Sequence, residues 1–245
     1  MKMIPRLVML QARCLVLQAA CLAQTPAPVF THAEPDRAAA ATPRTLVPYF
    51  TPSGAQAAVP DADGFIRRWM LLEPIVKPNR TNTVFTGSYV REALNTQYFP
   101  DQFTVVPHKG DKVTVAGQEL AWHALDSNNF DVKLFRFAYG LNKTTYGVIF
   151  SAVTVVDSPR DIKDVRLAVG SNSASMWWLN GDNVAGLFDD RRMEMDDVLS
   201  ERVTLKKGRN VLRGAVINGP GLSDFCARFV DDNEKPIKGL TIALQ

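Results

Sequence analysis

From Asp63 onward the apolar residues fall into short runs that alternate with polar ones. The run "YGVIFSAVTVV" (146–156) is long, β-branched and apolar, and is the strongest strand signal. "DKVTVAG" (111–117), "KDVRLAVGS" (163–171) and "SDFCARFVD" (223–231) alternate, as strands with one buried face do. "SERVTLKKGRNVLRGAVIN" (200–218) reads as two strands around Lys-Lys-Gly, and "FIRRWMLLEPI" (65–75) as a strand that stops at Glu73-Pro74. Turn residues separate the runs at Asp157-Ser-Pro, Asn180-Gly181, Lys207-Gly208, Asn218-Gly219-Pro220 and Asp231-Asp-Asn. "GSYVREALNTQYF" (87–99) places Val90, Leu94 and Tyr98 on one helical face with Ser88 as its cap. No strand–helix–strand alternation occurs, so a parallel α/β hydrolase fold is excluded. The pattern predicts an all-β antiparallel β-sandwich or jelly roll, with one or two short helices, over residues 63–245.

Upstream the periodicity disappears. Residues 24–62 are rich in Ala and Pro and read as an extended linker, with the Leu46–Phe50 patch able to dock on the domain. Residues 1–23 have basic residues, an apolar run and a small-residue end, the anatomy of a secretory signal, with cleavage expected after Ala23. Arg13 interrupts the run, and initiation at Met9 would make it the basic flank. Cys21 opens the alternative of a lipoprotein. The chain is therefore expected to be secreted, periplasmic or on a bacterial cell surface. The apolar run is too short and interrupted for a membrane span.

Charge narrows the choice of partner. The formal charge of +3 is misleading, because three of the 28 basic residues lie in the first 23 positions. The remaining 25 balance the 25 acidic residues, which leaves no electrostatic footprint for nucleic acid. Beyond the signal only Cys226 remains, in an alternating run, so no intrachain disulfide forms and the thiol is expected in the core.

The residues that could carry chemistry are few. No G-x-S-x-G elbow is present. A hydrolase would need Ser127, Ser171 or Ser223 beside His123, while His123 and Asp126, three apart, leave an extended segment on opposite faces. The run "LFDDRRMEMDDVLSER" mixes acids and bases as a solvated loop does; structural calcium is its alternative reading, and no other cofactor is expected. "SASMWWLNGDNV" (173–184) is a hairpin about an Asn-Gly turn. Trp177 and Trp178 point to opposite faces, so they cannot form one platform. Met176 shares a face with Trp178, and Leu179 with Trp177. At least one tryptophan is core, and the other is exposed or covered by the 185–200 loop.

"VRLAVGSNSASMWWLNGDNV", "RRMEMDDV", "VTLKKGRNVLRGAVING" and "DFCARFVDDNEKPIKGL" together resemble the galactose-binding-like jelly roll found as an accessory module in glycoside hydrolases and carbohydrate esterases. "DADGFIRRWMLLEPI" and "LAWHALDS" resemble the N-terminal region of acetylxylan and feruloyl esterase-type proteins of Bacteroidetes. The likeness covers roughly 61–245. It implies a catalytic esterase domain after the module, and none follows within these residues. The expected function is a non-catalytic module that binds a polysaccharide or oligosaccharide of xylan type, beside an esterase domain or protein. A carbohydrate esterase and a structural spacer or dimerisation module are the alternatives. The sugar site is expected on the 177–197 and 218–224 segments, with Trp178 as the stacking ring and Arg191, Arg192, Asp196, Asn218 and Asp224 as polar partners.

Overall fold

The computed structural model describes residues 44–77, 86–188, 192–219 and 221–244. In chain order its elements are β1 (Phe50–Pro52), β2 (Arg68–Leu72), β3 (Ile75–Val76), α1 (Gly87–Asn95), β4 (Lys112–Val115), β5 (Gln118–Ser127) and β6 (Val132–Lys133). There follow α2 (Leu134–Gly140), β7 (Val148–Ser158), β8 (Ile162–Ser171), β9 (Ala174–Leu179) and β10 (Asp182–Leu187). The last are β11 (Val198–Leu199), β12 (Val203–Leu205), β13 (Gly208–Asn218), β14 (Asp224–Val230) and β15 (Thr241–Ala243). The ten-stranded sheet runs β1-β5-β2-β7-β13-β9-β10, with β3 and β15 also on β7 and β4 on β5. The five-stranded sheet runs β11-β8-β14-β6, with β12 on β8. The strand pairs are antiparallel, and the chain is an all-β sandwich with two short helices.

One core lies between the sheets. Trp69, Phe150, Trp177 and Leu212 of the large sheet meet Val165, Leu167, Phe225 and Phe229 of the small one. At its centre Trp69, Trp177 and Phe225 form a three-ring cluster with centroids 5.0–6.1 Å apart, each pair edge-on. The buried indole N–H groups are satisfied, Trp69 by the Ile66 carbonyl at 2.8 Å and Trp177 by Ser175 Oγ at 3.0 Å. Gly214 lies opposite Trp177 in the β13–β9 ladder, and a Cβ there would lie 2.5 Å from the indole. The ring therefore rests on bare backbone.

A second core covers the other face of the large sheet. Met70, Leu72, Trp122, Val153, Met176 and Trp178 pack beneath α1 and the segment that follows it. Helix α1 buries Val90, Ala93 and Leu94, the spacing of one helical face. Its cap is Thr86, whose hydroxyl accepts from the Tyr89 N–H at 3.3 Å, rather than the expected Ser88. The Asn-Gly turn forms as expected: Asn180 (φ 54°) and Gly181 (φ 96°) both take positive φ between β9 and β10.

The linker expectation needs correction over residues 44–62. Phe50 is buried in the inter-sheet core beside Phe137 at 6.2 Å, and β1 pairs with β5. Ala58 exchanges backbone hydrogen bonds with Ile242 at 2.7 and 2.9 Å. Arg68 holds Asp126 bidentately at 2.7 and 2.8 Å and donates to the Gln56 carbonyl, while Ser53 Oγ donates to Asp126 at 2.7 Å. A three-residue strand shows no period in an Ala/Pro-rich text, which is why the boundary was misplaced. Residues 1–43, including the expected signal and Cys21, lie outside the described residues.

Two substitutions test this architecture by urea denaturation. Phe50→Ala is expected to cost about 3–5 kcal/mol, as for a core phenylalanine; a loss under about 1 kcal/mol would return the segment to linker status. Gly214→Ala is expected to cost about 1–3 kcal/mol by forcing the Trp177 ring aside. Unchanged stability would contradict the close approach.

Candidate functional site

The sequence-derived site residues do not converge on one place. Trp178 is only 8% exposed, with the Phe103 ring against it at 5.5 Å, so it is a core residue rather than a stacking platform. Phe103, from the segment after α1, covers it, and Phe188 of the 185–200 segment packs on the same cluster. Arg191 lies outside the described residues, as do Asp189 and Asp190, and Arg192 is exposed. Asn218 is fully buried at the end of β13, where its amide donates to the carbonyls of Thr145 (2.8 Å) and Gly221 (3.4 Å) and holds the following loop. Asp196 and Asp224 do share a region, the outer side of the five-stranded sheet.

Strand alternation builds that region. In β14, Phe225, Ala227 and Phe229 enter the core, which turns Asp224, Cys226 and Arg228 outward. Lys133 of β6 pairs in register with Asp224. Its ammonium bridges two buried carboxylates, Asp131 at 2.6 Å and Asp224 at 2.9 Å. Burial opposes the Lys133 charge, but its bonds to Asp131 and Asp224 outweigh this and raise its pKa. For Asp224 the balance reverses. Burial, only partly offset by Lys133, pushes its pKa up to about 6. The two directions are compatible, because a single ammonium cannot fully compensate two buried acids. Asp224 Oδ1 and the neighbouring Ser223 Oγ have no hydrogen-bond partner. Buried polar atoms are normally paired, and these two are exceptions.

Further along the same strand Arg228 grips Asp196, with Nε 3.0 Å from both carboxylate oxygens and Nη2 on Oδ2. Its Nη1 donates to the Asp63 carbonyl at 2.8 Å, and its guanidinium covers the Phe65 ring at 4.8 Å. On the Phe65 ring rests Phe130, 5.2 Å away. Phe130 is 37% exposed and is the one exposed aromatic among the described residues. The acidic segment closes over the sheet beside them: the Glu194 carbonyl occupies the space a Gly170 Cβ would need, 1.8 Å from it. Cys226, beneath that segment, is fully buried, and burial pushes its thiol up to about 11, so it is inert. Asp196 spends its carboxylate on Arg228, and among the described residues no three His, Cys, Asp or Glu side chains gather as a metal site.

Sequence reading missed Phe130, Asp131, Lys133 and Arg228. An apolar residue directly after the polar turn "SNNFD" was the available signal for Phe130. The Asp–Lys–Asp array depends on β6 pairing with β14, about ninety positions apart, which no local pattern announces.

The hydrolase residues also separate. His123 Nε2 faces Glu73 Oε1 at 3.4 Å, and Lys143 Nζ holds the other Glu73 oxygen at 2.9 Å. Burial would raise the Glu73 pKa, but Lys143, the Ala121 N–H and His123 together bring it below its usual value. Ser127 donates to the Asp131 carbonyl, and Ser171 to Ser173 and Ser175. None of Ser127, Ser171 and Ser223 is hydrogen-bonded to His123. Asp126 belongs to Arg68, so His123 and Asp126 do leave on different sides as expected.

No family model matches the chain, and no curated protein does. Among solved structures it is similar to the PA14 domain of an antifreeze protein, at 8% identity and TM-score 0.35 over 74% of this chain and 87% of that one. It is similar to a PA14 sugar-binding domain from an RTX adhesin, at 9% identity and TM-score 0.37 over 70% and 94%. A β-glucosidase from Kluyveromyces marxianus, in complex with glucose, matches at 14% identity and TM-score 0.32 over 69% of this chain and 16% of its own.

The buried acid gives a pH test. Folding raises the Asp224 pKa from 3.8 to about 6, so the folded state retains a proton that the unfolded chain releases across that interval. The Asp224 contribution to stability is therefore greatest below about pH 4 and falls by about 3 kcal/mol as the pH rises past 6. Asp224→Asn removes this slope. Urea denaturation from pH 4 to pH 7 is expected to show wild type losing ground to the variant by that amount, and a pH-independent difference would contradict it.

Proposed function

We propose that this chain is a non-catalytic carbohydrate-binding module whose binding face is the outer side of the five-stranded sheet around Phe130. One observation carries the reading: the exposed Phe130 ring sits on Phe65 and directly precedes the buried Asp131–Lys133–Asp224 array. A sugar needs an apolar ring face and a few fixed polar groups beside it. Phe130 supplies the first. Lys133, Asp196 and Arg228, locked by their ion pairs, supply the second without losing side-chain freedom on binding.

The non-catalytic part of the proposal is supported by His123, whose carboxylate neighbour is Glu73 and which has no serine bonded to it. A xylan-type ligand, an esterase beside the module, and secretion through residues 1–23 rest on the sequence alone and belong to the same proposal.

A glycan-array screen of the purified protein identifies the ligand, and calorimetry then measures its affinity. Phe130→Ala is expected to weaken binding at least tenfold, about 1.4 kcal/mol, with the melting temperature little changed. Wild-type affinity in that variant, or no glycan bound at all, would overturn the proposal.

A further inference from the structure

Strand β5 connects the proposed sugar face to a second feature. It runs ten residues from Gln118 to Ser127, and Phe130 lies in the turn just beyond its far end. At its near end Gln118, Glu119 and Leu120 line a cavity of about 430 Å³. That volume falls within the roughly 300–1,000 Å³ of small-molecule sites, and the strand puts about 30 Å between the cavity and the turn. The apolar lining is Leu120 with Pro74, both buried, and Val76, which is exposed.

Regular structure holds the polar lining in place. Gln118 and Glu119 follow a tight turn in which Ala116 (φ 48°) and Gly117 (φ 79°) take positive φ, and they pair with Val115 and Thr114 of β4. Across the cavity Asn142 and Lys143 follow α2, and Asn142 takes the left-handed conformation (φ 58°) that commonly ends a helix. Their backbone N–H groups donate to the Tyr139 and Ala138 carbonyls at 3.1 and 2.9 Å. Both polar edges are therefore fixed before a ligand arrives.

The charges on this lining are already matched. Lys143 Nζ bonds the buried Glu73 at 2.9 Å, and Glu119 Oε1 bonds Lys112 at 2.5 Å. An ammonium has three hydrogens and a carboxylate two oxygens, so each keeps capacity for a further partner. An acidic ligand would gain Lys143 but meet Glu119, and a basic one the reverse. The side-chain amides of Gln118 and Asn142 have no hydrogen-bond partner among the described residues, and each offers donor and acceptor together. Such a lining suits an uncharged ligand whose groups both donate and accept, as hydroxyls do.

We propose that this cavity is a second carbohydrate site. It takes an uncharged sugar ring whose hydroxyls meet Gln118, Asn142, Lys143 and Glu119 and whose C–H face lies on Val76 and Pro74. The ligand class rests on the sugar-binding reading above; the place is independent of Phe130. With no aromatic ring to stack on, this site is the weaker of the two.

NMR titration of the full chain with xylose, glucose, galactose and mannose, and with glucuronate and glucosamine as charged controls, tests the site. At least one neutral sugar is expected to shift the side-chain amide resonances of Gln118 and Asn142 saturably, with neither charged control binding more tightly. Gln118→Ala combined with Asn142→Gly, the glycine keeping the left-handed backbone, is expected to weaken that binding by about tenfold or more, read at the backbone amides of Leu120 and Thr144. Both side chains are exposed, so these substitutions spare the core. The cavity shifts persist in Phe130→Ala, and the glycan affinity of the Phe130 face persists in the double variant, so the two readings fail separately. Unmoved Gln118 and Asn142 resonances with all four neutral sugars, tighter binding of a charged control, or undiminished binding in the double variant rejects the cavity site.

Discussion

The fold depends on a ten-stranded sheet that is buried on both faces. Strand geometry sends Trp177 and Trp178 to opposite sides, and each side has its own core to receive a large ring. Trp177 joins Trp69 and Phe225 between the sheets, pressed against backbone at Gly214. Trp178 lies under Phe103 in the second core, which α1 and its following segment close. This double burial is why the proposed binding face lies on the other sheet. Among the described residues, the one exposed phenylalanine, tyrosine or tryptophan ring is Phe130, at the outer side of the small sheet.

Charges arrange the small sheet as hydrophobic packing arranges the large one. Its outward positions on β14 are an acid, a thiol and a base, and each is closed by another segment. Asp224 is met by Lys133 and, through it, Asp131; Arg228 is met by Asp196 of the acidic segment and by the Asp63 carbonyl. Ion pairs at this depth contribute little net stability, because desolvation offsets most of the attraction. What they do is hold polar groups in fixed positions beside Phe130, which is what a sugar site requires. Asp224 records the cost, with a carboxyl that ionises only near neutral pH.

Much of the fold was legible because it is written in local periodicity. The long strands around 146–156, 163–171 and 208–218, the Asn-Gly hairpin and the 87–95 helix all follow from alternation, turn chemistry or helical spacing. Phe50 was hidden because its strand is three residues long within an Ala/Pro-rich stretch. Helix α2 was hidden because "LFRFAYG" is apolar enough to pass for a strand. The site was less legible. Trp178 read as available because its cover, Phe103, comes from a segment some seventy positions earlier. Asp196 and Asp224 lie on the same side of the small sheet, but Lys133 and Arg228, which hold them there, are visible only once β6, β14 and β8 are paired. Periodicity identifies which face a residue takes; it does not say what comes to rest on that face.

The central claim concerns location, so its most direct test is a map. Backbone amide resonances, followed by NMR during titration with the best glycan from the array, report where the ligand sits. The account predicts saturable shifts grouped at residues 128–133, 194–197 and 222–228, with the amides of β9 and of the segment around Phe103 unmoved. Shifts grouped instead around Trp178, or spread without a centre, would contradict it.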